Sequence, residues 1–268
     1  MADQTPIISL LTDFGLRDAY VGVMKGVILA RCPAARIVDL SHEIAAGDLH
    51  MAGFVLAGAW RFFPAGTVHL VVVDPGVGSD RRVLAARFED HLFVAPDNGI
   101  LAAVFEDQRP ERIVSVENEA VFLKPVSHTF HGRDIFAPVT AELAGGAPLE
   151  SLGPTVDARI GLPRLQPVAA ADGTVVGEVV YVDRFGNLVT NLRPSDVSEG
   201  AVIHLVNHVI DQLSQAYADV SEGQLLAVFG SGGYLEISVN RGSAAGMLGA
   251  EVGTEVRVES GTSRQVRL

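Results

Sequence analysis

Short apolar runs that stop at an aspartate, alternating with segments of helical spacing, constrain the first half of this chain most. Pro6-Ile7-Ile8-Ser9-Leu10-Leu11 reads as a buried strand and ends at Thr12-Asp13-Phe14-Gly15. Residues 18–32 then place Tyr20, Val23, Met24, Val27 and Ile28 at helical spacing. Arg36 to Leu40 is a second strand, residues 47–61 fit a helix, and Gly66 to Val73 is a third strand running into Asp74. Val83 to Phe88 and His91 to Ala95 read as a strand pair joined by Glu89-Asp90. Asn98 to Phe105 is a short helix, and Phe136 to Leu143 another, closed by Gly145-Gly146. Strands alternating with helices predict an α/β domain with a mostly parallel sheet over residues 1–160.

The second half has a different texture. Residues 145–173 are rich in Gly, Pro, Ala and Asp and read as the link between domains. Short β-like runs follow at Thr174–Val182, Ala201–Val206, Leu225–Phe229, Tyr234–Val239 and Thr254–Val258. With frequent turns and little helical spacing, residues 168–268 are expected to form a smaller β-barrel domain.

Composition narrows the partners. Hydrophobic residues are 48% of the 268, enough for a sizeable core. The apolar runs are broken within about 10 residues, short of the ~20 needed to span a bilayer. Met1-Ala2-Asp3-Gln4 has neither the basic nor the apolar region of a signal peptide. A single cysteine, Cys32, leaves no internal disulfide framework or cysteine metal cluster and suits a reducing cytoplasm. A formal net charge of −12 argues against nucleic acid as a partner, while an acidic site can still draw a sulfonium or an amine.

The strand ends carry the candidate chemistry. In open α/β sheets, ligands bind outside the carboxyl ends of the strands. Asp13 and Asp74 both sit there. A carboxylate can hold a vicinal diol; the alternative for Asp13 is a cap on the following helix, and for Asp74 a turn made with its own backbone. The Asp74-Pro75-Gly76-Val77-Gly78 turn lacks the spacing of a phosphate-binding loop. Arg81 and Arg82 should face opposite ways, so at most one of them enters a site. His131 could be catalytic or a hydrogen-bonded structural histidine. His128, His131 and Asp134 only weakly resemble metal-ligand spacing, and no metal is expected. An acid, a guanidinium and an imidazole together can orient and polarise a water. In the second half, Asp183-Arg184-Phe185-Gly186-Asn187 combines a turn with polar groups suited to an amino acid's amine and carboxylate. Ser231-Gly232-Gly233-Tyr234 offers bare backbone to a flat base.

Six stretches in series resemble one family: TDFG at 12–15, VDPGVGSDRR at 73–82, APDNG at 95–99, TFHGRDIFAPV at 129–139, VDRFGNLVTN at 182–191 and SGGYLEISVNRGSAA at 231–245. They are similar to the S-adenosyl-L-methionine hydroxide adenosyltransferases, relatives of fluorinating and chlorinating enzymes. The resemblance implies hydrolysis of S-adenosylmethionine to adenosine and methionine by attack of water at C5′, with no cofactor. It implies a homotrimer whose sites lie between the N-terminal domain of one subunit and the C-terminal domain of the next. The family's catalytic Asp, Arg and His fall on Asp74, Arg81 and His131. Its ribose carboxylate falls on Asp13 and an aromatic position beside the ribose on Phe130. Asp183 and Asn187 match the region holding the methionine and adenine ends, and Ser231, Glu236 and Val239 the stretch that contacts substrate; Tyr217 is a candidate to cover the base.

Departures from the halogenating relatives separate the activities. Those enzymes have Tyr at the positions of Asp74 and His131, and the fluorinating type has Ser at Gly132. An aspartate in a halide pocket repels the anion. The expectation is hydroxide transfer; the alternatives are a halide adenosyltransferase and a non-catalytic sensor of adenosine or S-adenosylmethionine.

Overall fold

All but the first residue of β1 (Ile7–Thr12) are buried. A strand apolar along its length has both faces covered, as in a parallel sheet between helical layers. The computed structural model describes residues 5–105, 108–156 and 166–260. The chain divides into two compact units, Met1–Pro163 and Arg164–Leu268. No helix among the described residues is long and apolar enough to cross a membrane.

In the first unit β1 is followed by α1 (Tyr20–Arg31), β2 (Arg36–Ser41), α2 (Leu49–Ala59), β3 (Val68–Val72), β4 (Val83–Phe88), β5 (His91–Pro96), α3 (Ile100–Phe105), β6 (Arg112–Ser115) and α4 (Ala137–Ala144). The strand order is β2-β1-β3-β5-β4-β6. The first four of these run parallel, and β4 is antiparallel to both its neighbours. Side-chain alternation splits the core in two. Leu70 and Val72 pack with Met24 and Ile28 of α1 and Val139 and Leu143 of α4. Val71 and Val73 pack on the other face with Leu56 of α2 and Val104 of α3. Each such side chain contributes about 1.5–3 kcal/mol by leaving water.

This connectivity positions the site. From β1 the chain crosses by α1 to β2, then returns by α2 to β3 on the other side of β1. The two crossover helices lie on opposite faces, so a crevice opens between the carboxyl ends of β1 and β3, where Asp13 and Asp74 follow.

The structure corrects several expectations. Of the apolar positions read onto α1, Met24 and Ile28 are fully buried, but Tyr20 and Val23 are exposed and Val21 enters the core instead. β6 had no expected counterpart. The stretch 145–173 is not one linker: Leu149 and Leu152 are buried in the first unit's core, Thr155 bridges Val114, and Val168 and Ala169 pair with a strand of the second unit. The middle of that stretch, 157–165, lies outside the described residues, as do residues 1–4.

The second unit contains β7 (Val168–Ala169), β8 (Val175–Val182), β9 (Leu188–Thr190), β10 (Val202–Leu205), β11 (His208–Ile210), β12 (Leu213–Ser214), β13 (Leu225–Phe229), β14 (Leu235–Val239), α5 (Ala244–Leu248) and β15 (Glu255–Glu259). The strands run in the order β11-β10-β15-β8-β9-β14-β13-β12, with β7 on β8. β8 pairs with β15 through Val175–Glu178 and with β9 through Val179–Val182, with a register shift between Val179 and Tyr181. Such a bulge bends a strand, so β8 turns the corner between two halves of the sheet. The result is a nearly closed barrel around Val179, Leu188, Ile203, Ile237 and Val256. α5, capped by Ser243, which accepts from Gly246 N–H, was not foreseen.

Candidate active site

A cavity of about 400 Å³ opens at the carboxyl ends of β1 and β3, lined among others by Asp13, Gly47, Asp74, Phe130, His131 and Gly132. Asp74 sits where β3 stops being paired. Asn98, just beyond β5, donates its side-chain N–H to the Val73 carbonyl at 2.9 Å and so fixes the backbone one residue before Asp74. The turn that follows folds Arg81 back onto Asp74. Gly78 takes φ +80, and a Cβ there would meet the His128 carbonyl oxygen at 2.4 Å. Only glycine lets the 74–81 turn lie this close to the segment carrying His131.

Arg81 joins the three groups. Its Nε donates to Asp74 Oδ1 at 2.8 Å and to Oδ2 at 2.9 Å, and its Nη2 also donates to Oδ2. The same Nη2 donates to His131 Nδ1 at 2.9 Å. The Asp74 and Arg81 side chains are 5% and 10% exposed, and the guanidinium lies 5.4 Å from the Phe136 ring centre. Arg82 faces away to Asp97, with Nε 2.8 Å from Oδ2. The opposite facing read from the sequence is what the structure shows, and the turn alternative for Asp74 is not: its carboxylate is held by Arg81, seven residues on.

His131 precedes a widened helical turn, Gly132–Phe136, in which Ala137 N–H reaches back to the Gly132 carbonyl. Such turns recur at functional sites because they re-aim side chains at a helix start. Burial pushes the His131 imidazole down from its ordinary value, the Arg81 charge pushes the same way, and Asp74 and Asp134 oppose them. A neutral ring whose Nδ1 accepts from Arg81 carries its proton on Nε2. The segment is anchored by Asp134, fully buried, which accepts Ser127 N–H at 2.8 Å and pairs with Arg133.

Asp13 is not a helix cap. α1 begins after Ala19 with no side-chain cap, and Asp13 Oδ2 instead accepts Gly47 N–H from the loop before α2 at 2.8 Å. Phe130 packs against Phe14 and Tyr20, with ring centres 6.0 and 5.1 Å away. A Cβ on Gly132 would meet Met24 Sδ at 3.1 Å and the Phe130 ring at 3.3 Å, so a serine here would crowd the aromatic wall. The structure thus brings Asp13, Asp74, Arg81, Phe130 and His131 to one place. Sequence reading missed Gly47 and Asn98 and weighed Asp134 only for metal-like spacing, not as the anchor of this segment; Asn98 stood in a quoted motif, but its partner is a backbone carbonyl on another strand.

The candidates of the second unit form their own cluster. Asp183 Oδ1 accepts the N–H groups of Phe185 and Asn187 at 2.8 and 2.9 Å, and Oδ2 accepts the Asn187 side-chain N–H at 2.8 Å. Tyr217 donates its hydroxyl to Glu236 Oε2 at 3.0 Å. Burial raises the Glu236 carboxyl above its ordinary value, with the Asp183 charge adding to this and the Tyr217 bond opposing it. Glu236 lies over Gly230, where a Cβ would collide with its carboxylate. Ser231 is exposed at the following turn, and the Val239 carbonyl accepts Gly242 N–H at 3.0 Å.

The sequence matches the SAM hydroxide adenosyltransferase N-terminal domain over residues 8–153 and its C-terminal domain over residues 177–257. Relatives named (R)-S-adenosyl-L-methionine hydrolase from Thermus thermophilus and Salinispora tropica are each 40% identical, covering 94% and 96% of this chain and 98% and 99% of theirs. A fluorinase of Nocardia brasiliensis is 29% identical over 96% of this chain and 97% of its own. The crystal structure of an uncharacterized conserved protein from Thermotoga maritima superposes with a TM-score of 0.87 at 39% identity, covering 94% of this chain and 99% of that one. This chain belongs to the S-adenosyl-L-methionine hydroxide adenosyltransferase family.

Proposed function

We propose that this protein hydrolyses S-adenosyl-L-methionine to adenosine and L-methionine, and that Asp74, Arg81 and His131 orient the attacking water. The observation that carries this reading is the bidentate Asp74–Arg81 pair joined to His131 at the wall of one cavity. Four relatives named for the hydrolase reaction support it.

The water oxygen forms a bond to C5′ while the C5′–S bond breaks and its electron pair stays on sulfur. Methionine leaves as a neutral thioether, so no general acid is needed. The water's proton passes to Asp74 and on to solvent. His131 is the poorer acceptor, because its Nδ1 already takes an N–H from Arg81. Each Asp74 oxygen has two lone pairs, and among the described residues Oδ1 accepts only the Nε bond from Arg81, which leaves room for a water. Arg81 stabilises the developing hydroxide character, and alignment of water with C5′ supplies much of the acceleration. A carboxylate on the cavity wall disfavours a halide nucleophile.

Asp13, beside Phe130, holds the ribose diol. Asp183, Asn187, Ser231, Glu236 and Val239 bind the methionine and adenine ends, with Tyr217 over the base. The protein acts as a homotrimer in which the second unit of a neighbouring subunit completes each site; functional candidates in both units support this arrangement. Substrate alone suffices, without cofactor or metal. The one cysteine, buried Cys32, fits a cytoplasmic location.

The test is incubation of the protein with S-adenosylmethionine in oxygen-labelled water, with and without chloride, followed by chromatography and mass spectrometry. Adenosine carrying one solvent oxygen at C5′, lost in Asp74→Ala and His131→Ala, is expected. Halogenated adenosine would replace this reading with halide transfer, and intact substrate with measurable binding would replace it with a sensor.

A further inference from the structure

The mechanism makes no use of His42, yet its imidazole is buried, 4% exposed, with a polar group near each ring nitrogen. Nδ1 lies 2.8 Å from Thr12 Oγ1. Nε2 faces Asp39 Oδ1 at 3.1 Å, and Asp39 Oδ2 accepts from Lys25 Nζ at 2.6 Å. The Asp39 carboxylate can only accept, so the ring's own hydrogen sits on Nε2 facing it, Nδ1 accepts the Thr12 hydroxyl hydrogen, and Thr12 Oγ1 keeps a lone pair for the Phe14 N–H at 3.3 Å. The His42 carbonyl accepts Gly15 N–H at 2.8 Å. Residues on both sides of Asp13 are therefore tied to one histidine. The same loop, five residues after His42, sends Gly47 N–H to Asp13 Oδ2 at 2.8 Å.

His42 does not line the cavity, whereas Asp13, Phe14, Ala46 and Gly47 do. A buried imidazole is a costly way to fill space, since an apolar side chain needs no partners. We propose that His42 is a positioning residue for the ribose end of the substrate. It locks the loop after β1 to the loop after β2, so that Asp13 meets both hydroxyls of a vicinal diol. This rests on the reading of Asp13 as the diol-binding group.

The test compares adenosine with 2′,3′-dideoxyadenosine by calorimetry, on the full chain and on His42→Ala, Thr12→Val and Asp13→Ala. The wild type prefers adenosine, and Asp13→Ala abolishes the preference. His42→Ala and the nearly isosteric Thr12→Val lower adenosine affinity roughly five- to tenfold while dideoxyadenosine binding stays within about twofold. In the same variants the KM for S-adenosylmethionine rises and kcat holds. Equal loss for both nucleosides, or an unchanged preference in the variants, overturns the role of His42 and leaves the Asp13 reading intact. A wild type that does not distinguish the two nucleosides overturns the Asp13 reading, and this inference with it. If His42→Ala does not fold, Thr12→Val decides.

Discussion

Asp74 and Asp183 begin as the same local sentence and end with different roles. Each follows an apolar strand and precedes a glycine turn. Asp183 is spent on that turn, its oxygens taken by the N–H groups of Phe185 and Asn187 and by the Asn187 side chain. The Asp74 carbonyl accepts Val77 N–H from its own turn at 3.2 Å, but among the described residues its carboxylate is bonded by Arg81, which folds back to claim both oxygens. Arg81 is in turn shared with His131, 50 residues further along the chain. Both carboxylates accept three hydrogen bonds, so the difference lies in the donors: a distant-in-chain side-chain network at Asp74, its own turn at Asp183.

Changes at Asp74 and Arg81 sharpen that contrast most. Asp74→Asn is expected to lower kcat by about 10²–10⁴-fold with the fold retained. Arg81→Met leaves a buried carboxylate without its cation and should cost about 3–5 kcal/mol, read by urea unfolding. Loss of activity alone, at unchanged stability, would show that the pair is not buried as described.

His69 provides the next effect, in a part of the sheet far from the charged strand ends. Its imidazole bonds Ser9 Oγ at 2.6 Å and His91 at 3.1 Å, and burial pushes its pKa down to about 3. The unfolded chain takes up this proton below about 6.5 while the folded one resists until about 3. The stabilisation is fully present above pH 6.5 and is lost as pH falls toward 3, on the order of a few kcal/mol in all. Unfolding curves at pH 7.5 and pH 4.5 should show this loss in the wild type and less of it in His69→Leu.

Asp183→Ala should cost about 1–3 kcal/mol, because the turn's N–H groups lose their acceptor. A lower Tm with a smaller change in substrate KM is expected. Unchanged Tm with a large rise in KM would break the comparison and make Asp183 a second Asp74. The mildest effect is pH dependence at His131. Its pKa is lowered, and the neutral ring accepts from Arg81, so kcat/KM should be flat above pH 6.5 and fall only at lower pH. His131→Asn, which retains an acceptor for Arg81, should lose that acid limb.

Much of the first unit was legible because its strands are short apolar runs set between segments of helical spacing, and β1 to β5 were read that way. β6 was missed since Arg112–Ser115 is only a short run beside exposed residues, and it becomes a strand by pairing with β4. The linker was overdrawn because Pro148, Gly153 and Pro154 look like loop composition, yet Leu149 and Leu152 between them complete a core. Asp13 resembled a cap for lack of any local sign of Gly47, its partner 34 residues away.

The sequence by itself determined the α/β and β-barrel character of the two units, the strand ends carrying Asp13 and Asp74, and the motifs that place the chain in its family. Those are local properties, written in periodicity, turn residues and short identities. Tertiary structure alone decided that Arg81 bridges Asp74 to His131 while Arg82 turns to Asp97, that Asn98 fixes Val73, and that His42 ties two loops around Asp13. These depend on the order of strands in the sheet, which brings residues distant along the chain within hydrogen-bonding reach.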